Sequence, residues 1–312
     1  MNSMIKSMRV DVLMPVHGNA LYLYESIISV LEDMQTTDKL IIILDRASTN
    51  VVSITNFYSK IDKRIQVIES TAPGISSALN EGVRASTADF LARIDCDDNI
   101  LPGRLNLQRK FLKRRKNYVL VGSNYFNIDE NGVRYKSTIL PSRNSSIKNL
   151  LNIKNPIAHP TVMYRRDAVI SSGGYNTEFD GMEDLELWSR LQQYGKFKNL
   201  NRRLIEYRSS AGQFSKNRNQ IVLDQQMQKF YANQTLKFIT NKNKLNLIYL
   251  MYLRKNPYLY TNLIIYFANT KFIKLQFRQI AKLSIIDSKL FIEIIKSLFL
   301  IELKKIFFKL KK

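Results

Sequence analysis

Three aspartates and the chain's only cysteine crowd the end of an apolar run. In the segment RIDCDD, residues 93–98, Asp95, Asp97 and Asp98 surround Cys96, although the whole chain has a formal net charge of +22. Carboxylates this close raise one another's pKa unless a cation lies among them. The segment therefore indicates either a solvated turn or a site for a divalent cation.

A divalent cation is the interpretation that gives these aspartates a chemistry. On an extended backbone, side chains alternate between the two faces, so Asp95 and Asp97 would point to one side and Cys96 to the other. Mg²⁺ and Mn²⁺ take oxygen ligands, keep several waters and bind substrate phosphates. The pair predicts a metal site for a diphosphate. The alternative stays open, because Asp and Asn before Pro102 are also ordinary turn and N-cap residues.

The elements that must position these aspartates alternate between strand and helix over the first 125 residues. Short apolar runs predict strands over 10–16, 40–44, 65–69, 89–94 and 118–122. Helical patterns predict helices over 21–34, 51–61, 75–85 and 102–116. This alternation is typical of βαβ units, so we expect an α/β fold with a mostly parallel central sheet.

In parallel sheets, ligands bind at the carboxyl ends of the strands. Three of the predicted strand ends carry polar or unusual residues. These are Pro15 and His17 at the end of the first strand, Asp45 at the end of the second, and Asp95 to Asp98 at the end of the fourth. No GxGxxG or GxxxxGK[ST] motif occurs at these positions, so the sequence supports neither a dinucleotide fold nor a P-loop.

Five segments, in order, resemble the family 2 glycosyltransferases with the GT-A fold. They are VLMPVHGN, LIIILDRAST, GISSALNEGVRASTADFLARIDCDD, NPIAHPTVMYRRDAVISSGGY and GMEDLELWSRL. The resemblance runs from about Arg9 to Ser215 and is strongest to bacterial enzymes that build O-antigen, capsule and exopolysaccharide. It implies an inverting, metal-dependent transfer of a sugar from a nucleotide-diphosphate donor, usually a UDP-sugar.

The resemblance also implies roles for individual residues. The residues implied to bind the nucleotide-sugar are Pro15, His17, Asp45, Arg93, Asp95 and Asp97. Asp95 and Asp97 would also hold Mn²⁺ or Mg²⁺, and Asp184 would be the catalytic base. The chain departs from the family pattern in two places. Arg46 and Ala47 stand where relatives have Asp and Gly, and Tyr207-Arg208 is followed by two serines instead of a histidine.

The chemistry of transfer agrees with these roles. A carboxylate that removes the proton of the acceptor hydroxyl contributes roughly 10²–10⁴-fold to the rate, and a metal ion neutralises charge on the leaving diphosphate. Acids at a helix start also favour the helix dipole, so Glu183 and Asp184 could instead be capping residues. Glu183, His159 and Trp188 are further candidates for contacts with acceptor or phosphate. For His159 and Trp188, a buried structural role is the alternative.

Composition separates the C-terminal quarter from the rest of the chain. Residues 241–312 contain 15 Lys and Arg against three acidic residues, a net charge of +12. We therefore expect a GT-A catalytic domain over 1–230 and a basic, amphipathic helical region over 231–312. The helices over 282–312 would either pack on the catalytic domain or dock on anionic lipid. No apolar stretch approaches the roughly 20 residues of a membrane-spanning helix.

The remaining features of the sequence limit where the protein is expected to lie and what it is expected to bind. One cysteine excludes a disulfide framework and fits a reducing compartment, and two histidines are too few for a His-based zinc site. The N-terminus lacks the pattern of a secretory signal. We expect a protein on the cytoplasmic face of the membrane, with a saccharide or lipid-linked acceptor and no nucleic acid. Two alternatives remain at this point: a nucleotidyltransferase of similar fold, and a non-enzymatic basic protein that binds membrane or nucleic acid.

Overall fold

The structure is a computed structural model that describes residues 8–151, 155–209 and 230. The chain divides into two units, Met1–Asn219 and Gln220–Lys312. Everything described below lies in the first unit. The predicted basic helices over 282–312 lie outside the described residues. So does the whole predicted C-terminal region over 231–312.

Nine strands and seven α-helices make up the described part of the chain. The strands are β1 Val10–Gly18, β2 Lys39–Ala47, β3 Ile65–Glu69, β4 Phe90–Arg93, β5 Asn99–Ile100, β6 Tyr118–Ile128, β7 Arg134–Thr138, β8 Met163–Arg165 and β9 Lys196–Arg208. The helices are α1 Leu23–Asp33, α2 Thr49–Ile61, α3 Ile75–Ala85, α4 Arg104–Arg114, α5 Asn144–Leu151, α6 Arg166–Ser171 and α7 Glu183–Leu191. Two short 3₁₀ turns cover His159–Thr161 and Thr177–Phe179.

The strands form one sheet in the order β3-β2-β1-β4-β8-β6-β9-β5, with β7 paired to β6. Pairings β1·β2, β2·β3, β1·β4 and β6·β9 are parallel. Strands β5, β7 and β8 run antiparallel to their neighbours. The prediction of a mostly parallel sheet is confirmed, and the carboxyl ends of β1, β2 and β4 meet at one edge.

The core lies on both faces of the first parallel strands. Val10, Val12, Leu13 and Met14 in β1 have no exposed surface, and Leu40 in β2 has none either. Burial of consecutive residues is expected for a parallel strand covered by helices on both faces. These unbroken apolar runs explain why the sequence locates β1 to β4 well.

Helix α4 begins two residues later than the sequence predicts. The carboxylate of Asp33, at the end of α1, accepts the backbone N–H groups of Gly103 at 2.5 Å and Leu105 at 2.7 Å. The cap of α4 is therefore a residue some 70 positions earlier in the chain. Pro102 precedes the helix, and Gly103 takes a left-handed conformation with φ +84°.

Candidate active site

The ends of β1 and β2 bring His17 and Asp45 together. The two residues are partners in the parallel register, next to an irregularity at Gly18. His17 Nδ1 lies 2.9 Å from the Asp45 carbonyl oxygen and 3.4 Å from its carboxylate. Arg46, which has φ +50°, donates through Nε to the same carboxylate at 3.0 Å. Asp45 is thus a buried acceptor at a polar strand end, as the sequence predicts for a binding residue.

The loop before α3 is held between two carboxylates. The backbone N–H of Gly74 donates to Asp45 at 3.1 Å, and that of Ser76 donates to Asp180 at 3.0 Å. Gly74 has φ +106°, and an added Cβ would stand 2.0 Å from the Asp180 carboxylate. Burial raises the pKa of Asp45, but hydrogen bonds from Arg46 and Gly74 outweigh burial and leave this pKa below its usual value. Asp45 is therefore ionised at neutral pH.

The aspartates at the end of β4 lie in a turn and not on an extended strand. Strand β4 ends at Arg93, and the backbone N–H of Asp98 donates to the carbonyl oxygen of Asp95. The extended geometry expected for Asp95 and Asp97 is therefore wrong. The turn nevertheless gathers three carboxylates, because ligand oxygens of Asp95, Asp97 and Asp98 lie within 4.8 Å of one another.

Cys96 packs against the hydrophobic core beside this turn. Burial and the neighbouring aspartates raise the pKa of its thiol well above the usual value. A thiol held in this protonated state is a poor nucleophile. Cys96 is therefore a half-buried packing residue and not a nucleophile.

Two arginines hold the acidic turn in place. Arg93 is buried and donates to both carboxylate oxygens of Asp95. Arg208, at the end of β9, donates through its backbone N–H to Asp98 Oδ1 at 2.8 Å and through Nε to the Asp97 carbonyl oxygen at 2.9 Å. The sequence predicts Arg93 as a donor-binding residue, whereas the structure gives it an ion pair inside the protein.

The two arginines do not fully compensate the negative charge of the three carboxylates. Burial, with a contribution from Asp95, raises the pKa of Asp97 to about 6. Burial also raises the pKa of Asp98 well above its usual value, and Asp98 Oδ2 has no hydrogen-bond partner among the described residues. An oxygen-only set with an unpaired buried oxygen fits a hard cation such as Mg²⁺ or Mn²⁺. Asp98 thus lies with Asp95 and Asp97, the two ligands that the sequence predicts, in one group of carboxylates that could hold a cation.

Glu183 and Asp184 form the first turn of α7. Asp184 Oδ1 accepts the backbone N–H of Leu185 at 2.6 Å, and Oδ2 accepts a hydrogen bond from the side-chain amide of Asn155. Glu183 accepts the backbone N–H of Gly181 at 2.6 Å. Burial raises the pKa of Asp184, and Glu183 adds to the rise, while His159 and Arg93 oppose it. A half-buried aspartate with a raised pKa suits a general base.

The fold brings the two acidic motifs into electrostatic contact. The buried charge of Arg93 acts on both Asp95 and Glu183. His159 in turn lies within electrostatic range of Asp95 and Asp184. The turn after β4 and the start of α7, far apart in sequence, therefore face one region of the molecule.

His159 and Trp188 are buried next to this region. His159 Nε2 lies 2.9 Å from the hydroxyl of Tyr175, whose oxygen lies 3.0 Å from that of Tyr164. Trp188 has no exposed surface and packs its ring edge-on against His159. For both residues the structure shows the buried alternative, and Trp188 in particular is too deep for a direct contact with an acceptor.

Sequence reasoning misses two residues that hold the site. The sequence marks Tyr207-Arg208 only for the missing histidine after it, and the partners of Arg208 come from the turn after β4 and from Glu25 of α1. Asn155 carries a weak local signal, since it lies four residues before His159 in the NPIAHP segment that contributes to the family resemblance. Its partner in the site, Asp184, is reached only through the fold.

The family model described as Glycosyl transferase family 2 matches residues 11–173, just over half of the chain. The chain belongs to glycosyl transferase family 2. The matched residues include Asp45, the acidic turn and His159. They end before Asp184, so the assignment of that residue depends on the geometry of α7.

Named relatives agree with the family. The O-antigen biosynthesis glycosyltransferase WbnJ of Escherichia coli is 31% identical over 203 residues, which cover 64% of this chain and 79% of WbnJ. The amylovoran biosynthesis glycosyltransferase AmsE of Erwinia amylovora is 32% identical over 165 residues, 53% of this chain and 61% of AmsE. This family 2 chain is therefore a glycosyltransferase. The nucleotidyltransferase and non-enzymatic alternatives are wrong.

Solved structures agree with the fold. S. aureus TarS 1–349, in complex with UDP-GlcNAc, superposes with a TM-score of 0.60 at 15% identity, covering 94% of this chain and 81% of that one. The family 2 enzyme thus has the predicted GT-A fold. Within the described residues, no helix is both long and apolar enough to span a membrane.

Proposed function

We propose that this family 2 enzyme moves a sugar from a UDP-sugar donor to a saccharide acceptor and inverts the anomeric centre. The observation that carries the proposal is that buried Arg93, which donates to Asp95 of the acidic turn, also lies within electrostatic range of Glu183 at the start of α7. One motif can bind a metal-diphosphate and the other can take a proton. Direct displacement needs these two functions on opposite sides of the reacting carbon.

The donor would bind at the carboxyl ends of β1, β2 and β4. Pro15, His17 and Asp45 would line the nucleotide pocket, with the ionised Asp45 accepting hydrogen bonds from the base or ribose. The TarS structure, solved with UDP-GlcNAc, supports this class of donor. Arg46 beside Asp45 offers a positive charge at the same strand end, where it is mostly exposed.

Asp95 and Asp97 would hold Mn²⁺ or Mg²⁺, with Asp98 as a third carboxylate. When bound, the metal supplies positive charge that stabilises the leaving diphosphate. Arg93 keeps Asp95 in place for this role, and Arg208 keeps the turn closed. Because Asp97 and Asp98 have raised pKa values in the protein alone, cation binding would favour their ionised forms.

Asp184 would act as the general base. Asp184 is half-buried, and this burial raises its pKa, so it binds the acceptor's proton more readily than a fully solvated aspartate. Glu183 is turned inward toward His159 and Gly181, which leaves Asp184 as the member of the pair that can reach an acceptor. General-base assistance contributes roughly 10²–10⁴-fold to such reactions.

The names of the relatives support a role in bacterial surface polysaccharide synthesis, since WbnJ and AmsE are named for O-antigen and amylovoran biosynthesis. The acceptor would be a lipid-linked saccharide at the cytoplasmic face of the membrane. The basic region 231–312, with a net charge of +12 over residues 241–312, would dock the catalytic domain of residues 1–230 on anionic lipid.

One assay tests the donor and the metal together. Nucleotide release is measured with a panel of UDP-, GDP-, dTDP- and CMP-sugars, each with Mn²⁺, with Mg²⁺ or with EDTA. We expect turnover with a UDP-sugar that depends on added metal. Full turnover in EDTA would contradict the metal site, and turnover confined to another nucleotide would contradict the UDP assignment.

A further inference from the structure

The segment of residues 155–159, which leads into the first 3₁₀ turn, contacts both acidic residues at the start of α7. Asn155, at its beginning, donates to Asp184, and His159, four residues later, places Nδ1 3.4 Å from the Glu183 carboxylate. One short loop therefore contacts two consecutive acids through two side chains. Of these two contacts, only the one from Asn155 to Asp184 affects the carboxylate proposed to reach the acceptor.

The orientation of the Asn155 amide is fixed from both ends. Its Oδ1 accepts the backbone N–H of Ile157 at 3.2 Å, and a backbone N–H can only donate. Its Nδ2 faces Asp184 Oδ2, and an ionised carboxylate can only accept. The amide therefore acts as a donor to Asp184 and has no alternative arrangement that satisfies both neighbours.

The loop that carries Asn155 is well anchored. Ile157 is 2% exposed, and the carbonyl oxygen of Pro156 accepts a hydrogen bond from the Asn199 side chain of β9 at 3.0 Å. Pro156 and Pro160 restrict the backbone on both sides of the segment. A donor held in this way can fix the carboxylate that it contacts.

We propose that Asn155 is a positioning residue of the transfer reaction, which sets the plane of the Asp184 carboxylate against the acceptor hydroxyl. The donors on Asp184 come from two directions, Leu185 N–H at Oδ1 and Asn155 at Oδ2. Each carboxylate oxygen has two lone pairs, so one on each oxygen remains for the acceptor. This inference rests on the proposed function, in which Asp184 is the base.

The groups around Asp184 define what a change at Asn155 should do. Glu183 raises the pKa of Asp184 and His159 and Arg93 lower it, in addition to the dominant effect of burial. Asn155→Asp replaces a donor by a second carboxylate and adds repulsion next to the base. Asn155→Ala removes the donor without adding a charge.

The experiment uses the full chain and compares Asn155→Asp and Asn155→Ala with wild type. For Asn155→Asp, we expect the acidic limb of the kcat/KM profile to move up by about one pH unit. For Asn155→Ala, we expect kcat to fall about 10-fold or more while KM for the donor stays within about 2-fold. Asn127→Asp, on β6 and bonded to Thr138, is the matched control and should match wild type.

The outcomes separate this inference from the proposed function. If Asp184→Asn retains wild-type activity, Asp184 is not the base and the proposed function is wrong in that respect. If Asp184→Asn is inactive but Asn155→Asp keeps the wild-type acidic limb, the positioning role of Asn155 is wrong. Should Asn155→Asp fail to fold, the kcat and KM values of Asn155→Ala decide, and a loss in KM alone contradicts the inference.

Discussion

Arg93 donates to both carboxylate oxygens of Asp95, so the acidic turn after β4 has a positive charge built into it. The Arg93 side chain is 4% exposed and that of Asp95 is 28% exposed, so the pair is open to solvent only on the carboxylate side. The sequence indicates that the three carboxylates repel one another unless a cation lies among them. The Arg93 guanidinium therefore supplies part of that positive charge from within the protein. A divalent ion bound at this turn would share Asp95 with Arg93.

The shared carboxylate gives a first prediction. Arg93→Gln removes the internal cation and leaves Asp95 beside two other carboxylates, so the variant should unfold at a lower temperature than wild type without metal. Added Mn²⁺ should then raise the melting temperature of Arg93→Gln more than that of wild type, because the ion replaces a lost charge. Equal stabilisation of both proteins by Mn²⁺ would show that the ion binds elsewhere.

Asp97 gives a second prediction. Asp97→Asn should weaken Mn²⁺-dependent binding of UDP by about 10-fold or more, since it removes a charged ligand while keeping the side-chain shape. Titration calorimetry with UDP, with Mn²⁺ and with EDTA, measures the effect. Asp167→Asn, an exposed aspartate on α6, is the control for loss of one negative charge. Equal UDP affinity of Asp97→Asn and the control would remove Asp97 from the metal site.

His159 gives a third prediction, for stability against pH. Burial lowers the pKa of His159 from 6.5 to about 3, with Arg93 acting in the same direction and Asp184 and Asp95 against it. Glu183 and the Tyr175 hydroxyl also face the ring. Below about pH 6.5 the unfolded chain binds a proton that the folded chain does not. The stability from neutral His159 is therefore complete above pH 6.5 and is lost as the pH falls toward 3.

Denaturant unfolding between pH 4.5 and 7.5 measures this linkage. The free energy of unfolding of wild type should fall more steeply with decreasing pH than that of His159→Gln, so the two curves converge at low pH. His17→Gln, at the exposed histidine, is the control variant. Parallel curves for wild type and His159→Gln would contradict a buried neutral histidine.

The sequence predicts most of the first half of the fold. Helix α3 and strand β3 begin and end where the apolar pattern indicates, and α3 buries one continuous face that includes Leu79 and Val83. Helix α4 does not, because its cap is Asp33 from another helix. A local pattern reports local burial, and it carries no information on partners brought together by the fold.

The candidate site shows the same division. Asp45, the acidic turn and Asp184 are recognisable from residue type and order, since their chemistry needs carboxylates at strand and helix ends. The geometry of the acidic turn and the contact of Asn155 with Asp184 depend on long-range packing. No spacing in the sequence reports them.

A fourth prediction concerns the basic region, which lies outside the described residues. Full-length protein should sediment with vesicles that contain anionic lipid, and binding should weaken as salt rises, since each Lys or Arg near the surface contributes about 1 kcal/mol. Deletion of residues 241–312 should abolish vesicle binding. A melting curve of the truncated protein checks that it is folded. A folded, truncated protein that binds vesicles as well as full-length protein would rule out docking through this region.

Asp184→Asn tests most directly whether Asp184 is the general base of sugar transfer while other residues bind the UDP-sugar donor. The variant keeps the size of the side chain and loses the proton acceptor. The rate of sugar transfer and the affinity for the UDP-sugar are measured on the same preparation with Mn²⁺ present. We predict that transfer falls by about 10²-fold or more while donor affinity stays near wild type. Transfer at the wild-type rate, or a collapse of donor affinity, would contradict the account.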